Sequence, residues 1–328
     1  MDRRVFLATA GMAAGQSLVA PRLALAQGTY PNRPVRLIIP FAPGGQTDIL
    51  GRRFAQKLES AAGQSIVPEN KGGAGGTIGS LEVVRAAPDG YTLEIGTSST
   101  HAISPFIMSK PPYDPVKDFT PIALLGIIPM VIAVHPSVPA RNLQELIALI
   151  KANPSKYAYG SAGVGSINHL TGEMFKTQAG GLELPHVPYK GSGTSVQDLI
   201  GGQIPVLMAT FSSVEAAQRM GRVRILAITM DKRSPIAPEV PTAVESGMPD
   251  LLSYTFNALF GPPAMPAAIV GYLGDQSHKI MSDVAFQKDL QGLAIDPVTD
   301  STPESTARFV REQVARFVPI IKASGIQV

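Results

Sequence analysis

The groups in this 328-residue sequence best placed for chemistry are backbone amides rather than side chains. Pro43-Gly44-Gly45 and Gly163-Val164-Gly165-Ser166 each stand between a short apolar run and an amphipathic stretch, in the order strand, glycine turn, helix. Glycine permits the tight turn, and the helix behind it offers unpaired N–H groups and a partial positive charge, which together suit an anion. For either turn alone, glycine easing a strand-to-helix connection is an equally good account. Two such turns facing one another across a cleft would make a pair of backbone nests for two carboxylates. The hydroxyls of Thr47, Thr97, Ser98, Ser161 and Ser166 could complete the shell without a cationic side chain. Asp48, early in its helix, either supports the N-terminal amides or orients a bound water, and the first role is preferred. Phe211 closes an apolar run before a polar one, a place for core packing that could also line a ligand. The Gly72 to Gly76 cluster reads as a third nest or a surface turn, and Lys190, just before a turn, either reaches the cleft or, as is commoner, stands exposed.

The side chains offer less. Neither GxGxxG nor GxxxxGK[ST] occurs, so the usual cradles for a diphosphate are missing. GxSxG is also missing, which removes the nucleophile elbow. His101, His135, His169, His186 and His278 form no HxH or HxxxH pair, and each read singly is a packed or surface histidine rather than a metal ligand. His169 stands apart because it falls in the first turn of the helix opened by Gly163 to Ser166, where its ring would face the cleft or bond a neighbouring carbonyl. An exported serine hydrolase using Ser161 or Ser166 with His169 is therefore the reading from another class. No cofactor and no metal is expected.

Residues 1–26 read as an export signal: Arg3 and Arg4 precede a weakly apolar run, and Leu23-Ala24-Leu25-Ala26 has the spacing a signal peptidase needs. The start suits a twin-arginine signal and an ordinary one equally. Without that segment the chain carries 25 basic and 24 acidic residues, a net charge of +1, and no basic stripe that would suggest nucleic acid. The absence of cysteine suits an oxidising compartment. No later apolar run approaches the ~20 residues that span a bilayer.

Two alternating sets of strands and helices must position the glycine turns. Val35 to Pro40, Ser65 to Glu69 and Tyr91 to Ile95 read as strands of parallel βαβ units. A second set, with a sheet of its own, uses Ile127 to Val134, Lys156 to Tyr159, His186 to Tyr189, Ile204 to Phe211 and Val223 to Thr229. Asn142 to Glu145 has capping-box spacing. Proline-punctuated loops around Pro235, Pro238 and Pro241 follow, and then a terminal helix with Thr302 as its cap and Pro303 in its first position, expected to return over the first lobe. The expected division is 27–130 plus 230–328 for lobe 1 and 131–229 for lobe 2, with crossings near Met130 and Met230.

Five stretches carry a family likeness: YPNRPVRLIIPFAPGGQTD, ENKGGAGGTIGSLEVVRAAPDGYTL, YGSAGVGSINHLTGEMF, VPYKGSGTSVQDLIGGQI and DKRSPIAPEVPTAVESGMP. Together they resemble the Bug (TctC-type) extracytoplasmic solute receptors of tripartite tricarboxylate transporters, in order, from Tyr30 to the C-terminus. The resemblance implies an α/β protein of the type II periplasmic-binding-protein fold, two α/β lobes around a hinged ligand cleft. It implies a monomeric periplasmic receptor with no catalytic step, which binds a small carboxylate and delivers it to membrane transporter subunits. One jaw would be Phe41, Gly44, Gly45, Thr47 and Asp48, the other Ser161, Gly163, Gly165 and Ser166, with Thr97 and Ser98 beside them, acting through amides, hydroxyls and bridging waters. Relatives commonly carry an aspartate after the aromatic where Thr210-Phe211-Ser212-Ser213 stands here. Its loss removes a partner for an amino-bearing ligand and favours a plain carboxylate.

Overall fold

The chain alternates strand and helix from its first described element, as the runs of apolar residues demand. A computed structural model describes residues 30–234 and 237–327. The expected export segment at 1–26 and Pro235 lie outside the described residues. The first elements are β1 (Val35–Ile39), α1 (Gln46–Ala62), β2 (Ile66–Asn70), α2 (Thr77–Val84) and β3 (Thr92–Thr97). A π-helical turn at Ser99–Ile103 leads into the short α3 (Ser104–Ile107) and then the long β4 (Thr120–Val134). Next come α4 (Leu143–Ala152), β5 (Tyr159–Ser161), α5 (Ile167–Gln178), β6 (His186–Pro188), α6 (Ser192–Ile200), β7 (Val206–Thr210), α7 (Phe211–Arg219) and β8 (Arg224–Ile228). The last elements are β9 (Tyr254–Gly261), α8 (Ala267–Met281), α9 (Val284–Gln291), β10 (Asp296–Pro297) and α10 (Pro303–Ser324).

The strands follow the order β2-β1-β3-β9-β4-β7-β5-β6, with β8 and β10 also on β4. β1 pairs in parallel with β2 and β3, and β5 in parallel with β6 and β7, which is the βαβ pattern expected. The second set has no separate sheet, however, because β4 belongs to both. Thr120 to Pro129 pair antiparallel with β9, and Met130 to Val134 pair antiparallel with β7 and β8. Proline cannot donate to a ladder and sits in strands at bulges or edges. Accordingly the register of β4 slips beside Pro121, and Pro129 is its last residue on β9.

The change of partners is stitched by hydrogen bonds. The Thr229 N–H donates to Met130 O at 2.9 Å, and the buried Thr229 hydroxyl is 2.9 Å from Met130 O and 2.7 Å from Ser253 O. The Ser253 N–H returns a bond to Thr229 O at 2.8 Å.

β9, α8 and α9 occupy a region expected to be loops and a terminal helix. β9 escapes a period-two reading because both of its faces are buried, and Asn257 interrupts the apolar run at its middle. α8 carries Gly271 and Gly274, which weaken the helical signal. Thr302 and Pro303 cap α10 as expected, with Ser305 completing a capping box. The helix does not cover one lobe alone. Val310 packs with Ile38, Val83 and Phe260, whereas Phe317 and Ile321 pack with Ile132, Leu170 and Met208. Ala102, Ile103 and Ile107 join the same cluster as Phe317.

Glu94, in β3, is fully buried, and among the described residues only the Ser80 hydroxyl donates to it, at 2.6 Å. Burial pushes its carboxyl up to about 8, against an opposing hydrogen bond from Ser80. An acid raised from 4.5 to about 8 binds more protons folded than unfolded between those values. Stability is therefore lost as pH rises across that window. Glu94→Gln holds the side chain neutral at every pH, so its melting temperature should gain steadily on the wild type as pH rises. Parallel stability profiles would contradict this account of Glu94.

Candidate functional site

Each glycine turn is shaped by its own hydrogen bonds before it can meet a ligand. Gly44 has φ +81° and Gly45 caps α1 without a side-chain bond. The Gly44 N–H donates to Asp48 Oδ2 at 2.9 Å, while Asp48 Oδ1 accepts from Arg52 Nε at 2.8 Å and Asn70 Nδ2 at 2.9 Å. Both oxygens of Asp48 are thus engaged by protein donors, and the residue braces the turn from behind. In the second turn, Ser161 Oγ accepts from the Gly163 N–H at 3.0 Å, and the Ser166 hydroxyl donates to Gly163 O at 2.6 Å. Ser166 Oγ also accepts from the His169 N–H at 3.2 Å, as an N-cap should.

A narrow cavity lies between the turns, with about 20 Å³ of room for a water-sized molecule. On one side Phe41, Gly45, Gln46, Thr47, Thr97 and Ser99 line it. Ala162, Ile167, Asn168 and Ser192 approach from the other, and Thr210 and Thr255 complete it. Of the residues named from sequence, Phe41, Gly45, Thr47 and Thr97 meet here. Gly44 faces an outer groove with Gly193 and Ser213. Ser98 is drawn away to β9, where its Oγ accepts from the Phe256 N–H at 3.2 Å. Ser161, Gly163, Gly165, Ser166 and His169 build the second turn, while the next residues along, Ala162, Ile167 and Asn168, present themselves to the space.

Phe211 opens α7 and is buried in the core with Val131, Ala209 and Val214. Gln46, Ser99, Asn168, Ser192 and Thr255 went unnamed in the sequence reading, and Thr210 entered it only within the Thr210-Phe211-Ser212-Ser213 stretch. Gln46 and Asn168 had a local signal, because they occupy the first turns of the helices that follow the glycines. Thr255 had none, since the fold brings it from a distant strand.

Among the lining residues none is charged. Four helices start at the wall instead: α1 at Gly45 to Thr47, α5 at Ile167 and Asn168, α6 at Ser192, and α7 at its cap Thr210. Each start brings roughly half a positive charge to the wall, although at α5 the Ile167 and His169 N–H groups are already taken by Ser99 Oγ and Ser166 Oγ. Gln46 is held in place by donating to Asn257 Oδ1, and Asn168 by donating to Met208 O at 2.7 Å. The result is a pocket of oriented dipoles that can take up a small anion without an ammonium or guanidinium.

The hydrolase pairing is not formed. His169 Nδ1 accepts from the Gly165 N–H at 3.3 Å and touches no serine hydroxyl through its ring. Its ring stacks on His186, with centroids 4.0 Å apart. Ser161 Oγ does lie 2.6 Å from His186 Nε2, but Ser161 is fully buried and held within its own turn. Burial pushes His186 down to about 4 and lowers His169 as well, so both rings are neutral at neutral pH.

The two sides of the cavity touch at a seam of glycines. The Ser104 hydroxyl lies 3.1 Å from Gly75 O and 2.9 Å from Gly165 O, and Ser99 Oγ accepts from the Ile167 N–H at 3.0 Å. The Gly72 to Gly76 cluster is thus neither a nest nor a free loop. A Cβ on Gly75 would fall 2.7 Å from Val164 O, and one on Gly193 would fall 2.3 Å from Pro43 O. Gly165 has φ +79°, and a Cβ there would stand 2.6 Å from Ile107 Cδ1, whereas Gly44 faces open space. Gly44→Ala should therefore cost only the left-handed strain of about 1–2 kcal/mol, and Gly165→Ala measurably more. Urea unfolding of the ligand-free variants checks the order, and equal losses would contradict the seam.

Comparison with known proteins agrees with this architecture. The sequence profile of the tripartite tricarboxylate transporter family receptor, TctC, matches residues 50–326. A Rhodopseudomonas palustris protein solved with adipate is 32% identical, covering 91% of this chain and 99% of that one, with a TM-score of 0.87. The periplasmic binding protein BugD is 33% identical over the same shares, also at 0.87. MatC from Rhodopseudomonas palustris, with bound malate, is 30% identical, covering 89% and 100%, at 0.86. The two α/β lobes around a cleft are those of periplasmic binding proteins. In sequence and in fold, the chain belongs to the TctC family of tripartite tricarboxylate transporter receptors.

Proposed function

We propose that this protein is a periplasmic receptor that closes on a small carboxylate and hands it to the membrane subunits of a tripartite tricarboxylate transporter. The observation that carries the reading is the uncharged cavity ringed by four helix starts. That arrangement suits an anion whose charge is met by backbone N–H groups and hydroxyls. The similar proteins solved with malate and adipate support the same ligand class. In this reading residues 1–26 are removed on export, and the receptor works as a single chain with no chemical step. Lobe 1 is 27–130 with 230–328, lobe 2 is 131–229, and the hinge lies where β4 changes partners. Gly44, Asp48, Ser161, Gly163, Gly165 and Ser166 hold the two jaws in shape, with His169 packed beneath the second. Phe41, Gly45, Thr47 and Thr97 meet the ligand, and Ser98 anchors the neighbouring turn.

A ligand shifts an opening equilibrium only by its difference in affinity for the two states. Contacts made by both sides of the cavity supply that difference.

Thermal-shift measurements against mono-, di-, tri- and aromatic carboxylates, with amino acids and sugars as controls, test the reading. At a hundredfold excess over its dissociation constant the right ligand adds about 2.7 kcal/mol. A panel in which no carboxylate raises the melting temperature defeats the proposal. Affinity should be flat across neutral pH, because no titratable side chain lines the cavity. It should fall only in acid, as the ligand's own carboxylates protonate near pH ~4. A steep change between pH ~6 and ~8 would instead put a histidine in the site.

A further inference from the structure

Resting on the carboxylate reading, we infer that His169 and His186 are positioning residues: their stacked rings, while neutral, hold the second jaw in its binding shape, and acid releases that jaw by charging them. Each ring holds one side of the same turn. His169 Nδ1 accepts from the Gly165 N–H at 3.3 Å. His186 Nε2 lies 2.6 Å from Ser161 Oγ, which itself accepts from the Gly163 N–H at 3.0 Å. The two rings lie face to face, with centroids 4.0 Å apart and planes 7° from parallel.

Tyr159 extends the stack, 4.9 Å from His186, and its hydroxyl donates to Glu173 Oε1 at 2.7 Å. Gly172 leaves room for that ring, since a Cβ there would collide with it. The column thus ties β5, β6 and α5 together directly behind the turn. None of its three rings lines the cavity, so they act on a ligand only through the turn.

The bond to Gly165 requires a lone pair on Nδ1, which places the His169 proton on Nε2. A second proton, on Nδ1, would set one donor against another and leave the Gly165 amide without its acceptor. Charging both rings would also bury two cations face to face. Among the described residues, Glu173 and Lys176 are the charged side chains that act on the pair, and they pull in opposite directions. They are 2.8 Å apart and paired with each other, so neither is a free counter-charge. Burial holds both rings below their ordinary 6.5, His186 at about 4. Such a base binds fewer protons folded than unfolded, so its support is whole above pH 6.5 and is lost as pH falls towards about 4.

Hydrogen exchange followed by NMR on the ligand-free protein tests this. Corrected for the pH dependence of exchange itself, protection of the Gly165 amide should fall about tenfold or more between pH ~6.5 and ~4. The Thr229 amide, bonded to Met130 O far from the histidines in sequence, should keep its protection. His169→Gln supplies an acceptor that never charges and should flatten the Gly165 profile. His169→Phe keeps the stack but no acceptor, and should leave Gly165 poorly protected at every pH. His186→Phe, which keeps the stack but releases Ser161, should do the same to Gly163. With malate as probe, the ratio of wild-type to His169→Gln affinity cancels the ligand's own protonation. That ratio should be near one at pH ~7 and below about one-third at pH ~4.5. A Gly165 profile that ignores pH, or one that His169→Gln leaves sloping, overturns the inference while sparing the carboxylate receptor. If malate and adipate both fail to bind, the carboxylate reading loses its support, and the ligand-free profiles still decide what the histidines do.

Discussion

β4 is a single strand with two sets of neighbours, and the remaining architecture is arranged around that fact. Its first ten residues pair in the half of the sheet that carries the Gly44 turn, and its last five in the half that carries the Gly165 turn. A strand has only two soft torsions per residue, so it transmits orientation well and bends where its ladder is interrupted. Here the interruption lies at Pro129 and Met130, beside Thr229 and Ser253. The bonds among those residues hold the chain together at the point where β4 changes partners. α10 adds a second tie by placing Val310 in one core and Phe317 in the other.

The chemistry of the cavity follows from what surrounds it. Taking a carboxylate out of water is expensive unless its oxygens are met by donors. An arginine would meet them with a mobile side chain that must be ordered first. Helix starts meet them with amides already fixed by the ladder behind them, and the Asp48 carboxylate braces the Gly44 turn within the protein itself. Buried neutral histidines beneath the second turn serve the same end, since they support its shape without adding charge.

Much of this was legible in the sequence, and the rest fails for identifiable reasons. The glycine turns, the parallel strands beside them and the caps of α4 and α10 are local signals, and local bonds realise them: Asn142 accepts from the Glu145 N–H and Thr302 from the Ser305 N–H, each across a single turn. The family likeness added the assignment of jaws, which spacing alone left open. β9 was hidden because a strand buried on both faces has no alternation to read. Phe211 was ambiguous because a strand end and a helix start look alike at one residue, and tertiary packing settled it as core. The lining by Ser99, Ser192 and Thr255 depends on contacts between distant segments, which no window of sequence contains.

The glycine seam has a kinetic side. Gly75 against Val164, Gly191 against Ala42 and Gly193 against Pro43 are backbone-to-backbone approaches that leave no room for even a methyl group. A molecule bonded to both walls loses its bonds to one of them whenever the seam parts, so the grip that sets its affinity also slows its departure. Two ligands of equal affinity for the open protein would then leave at rates ordered by what each holds on the far wall.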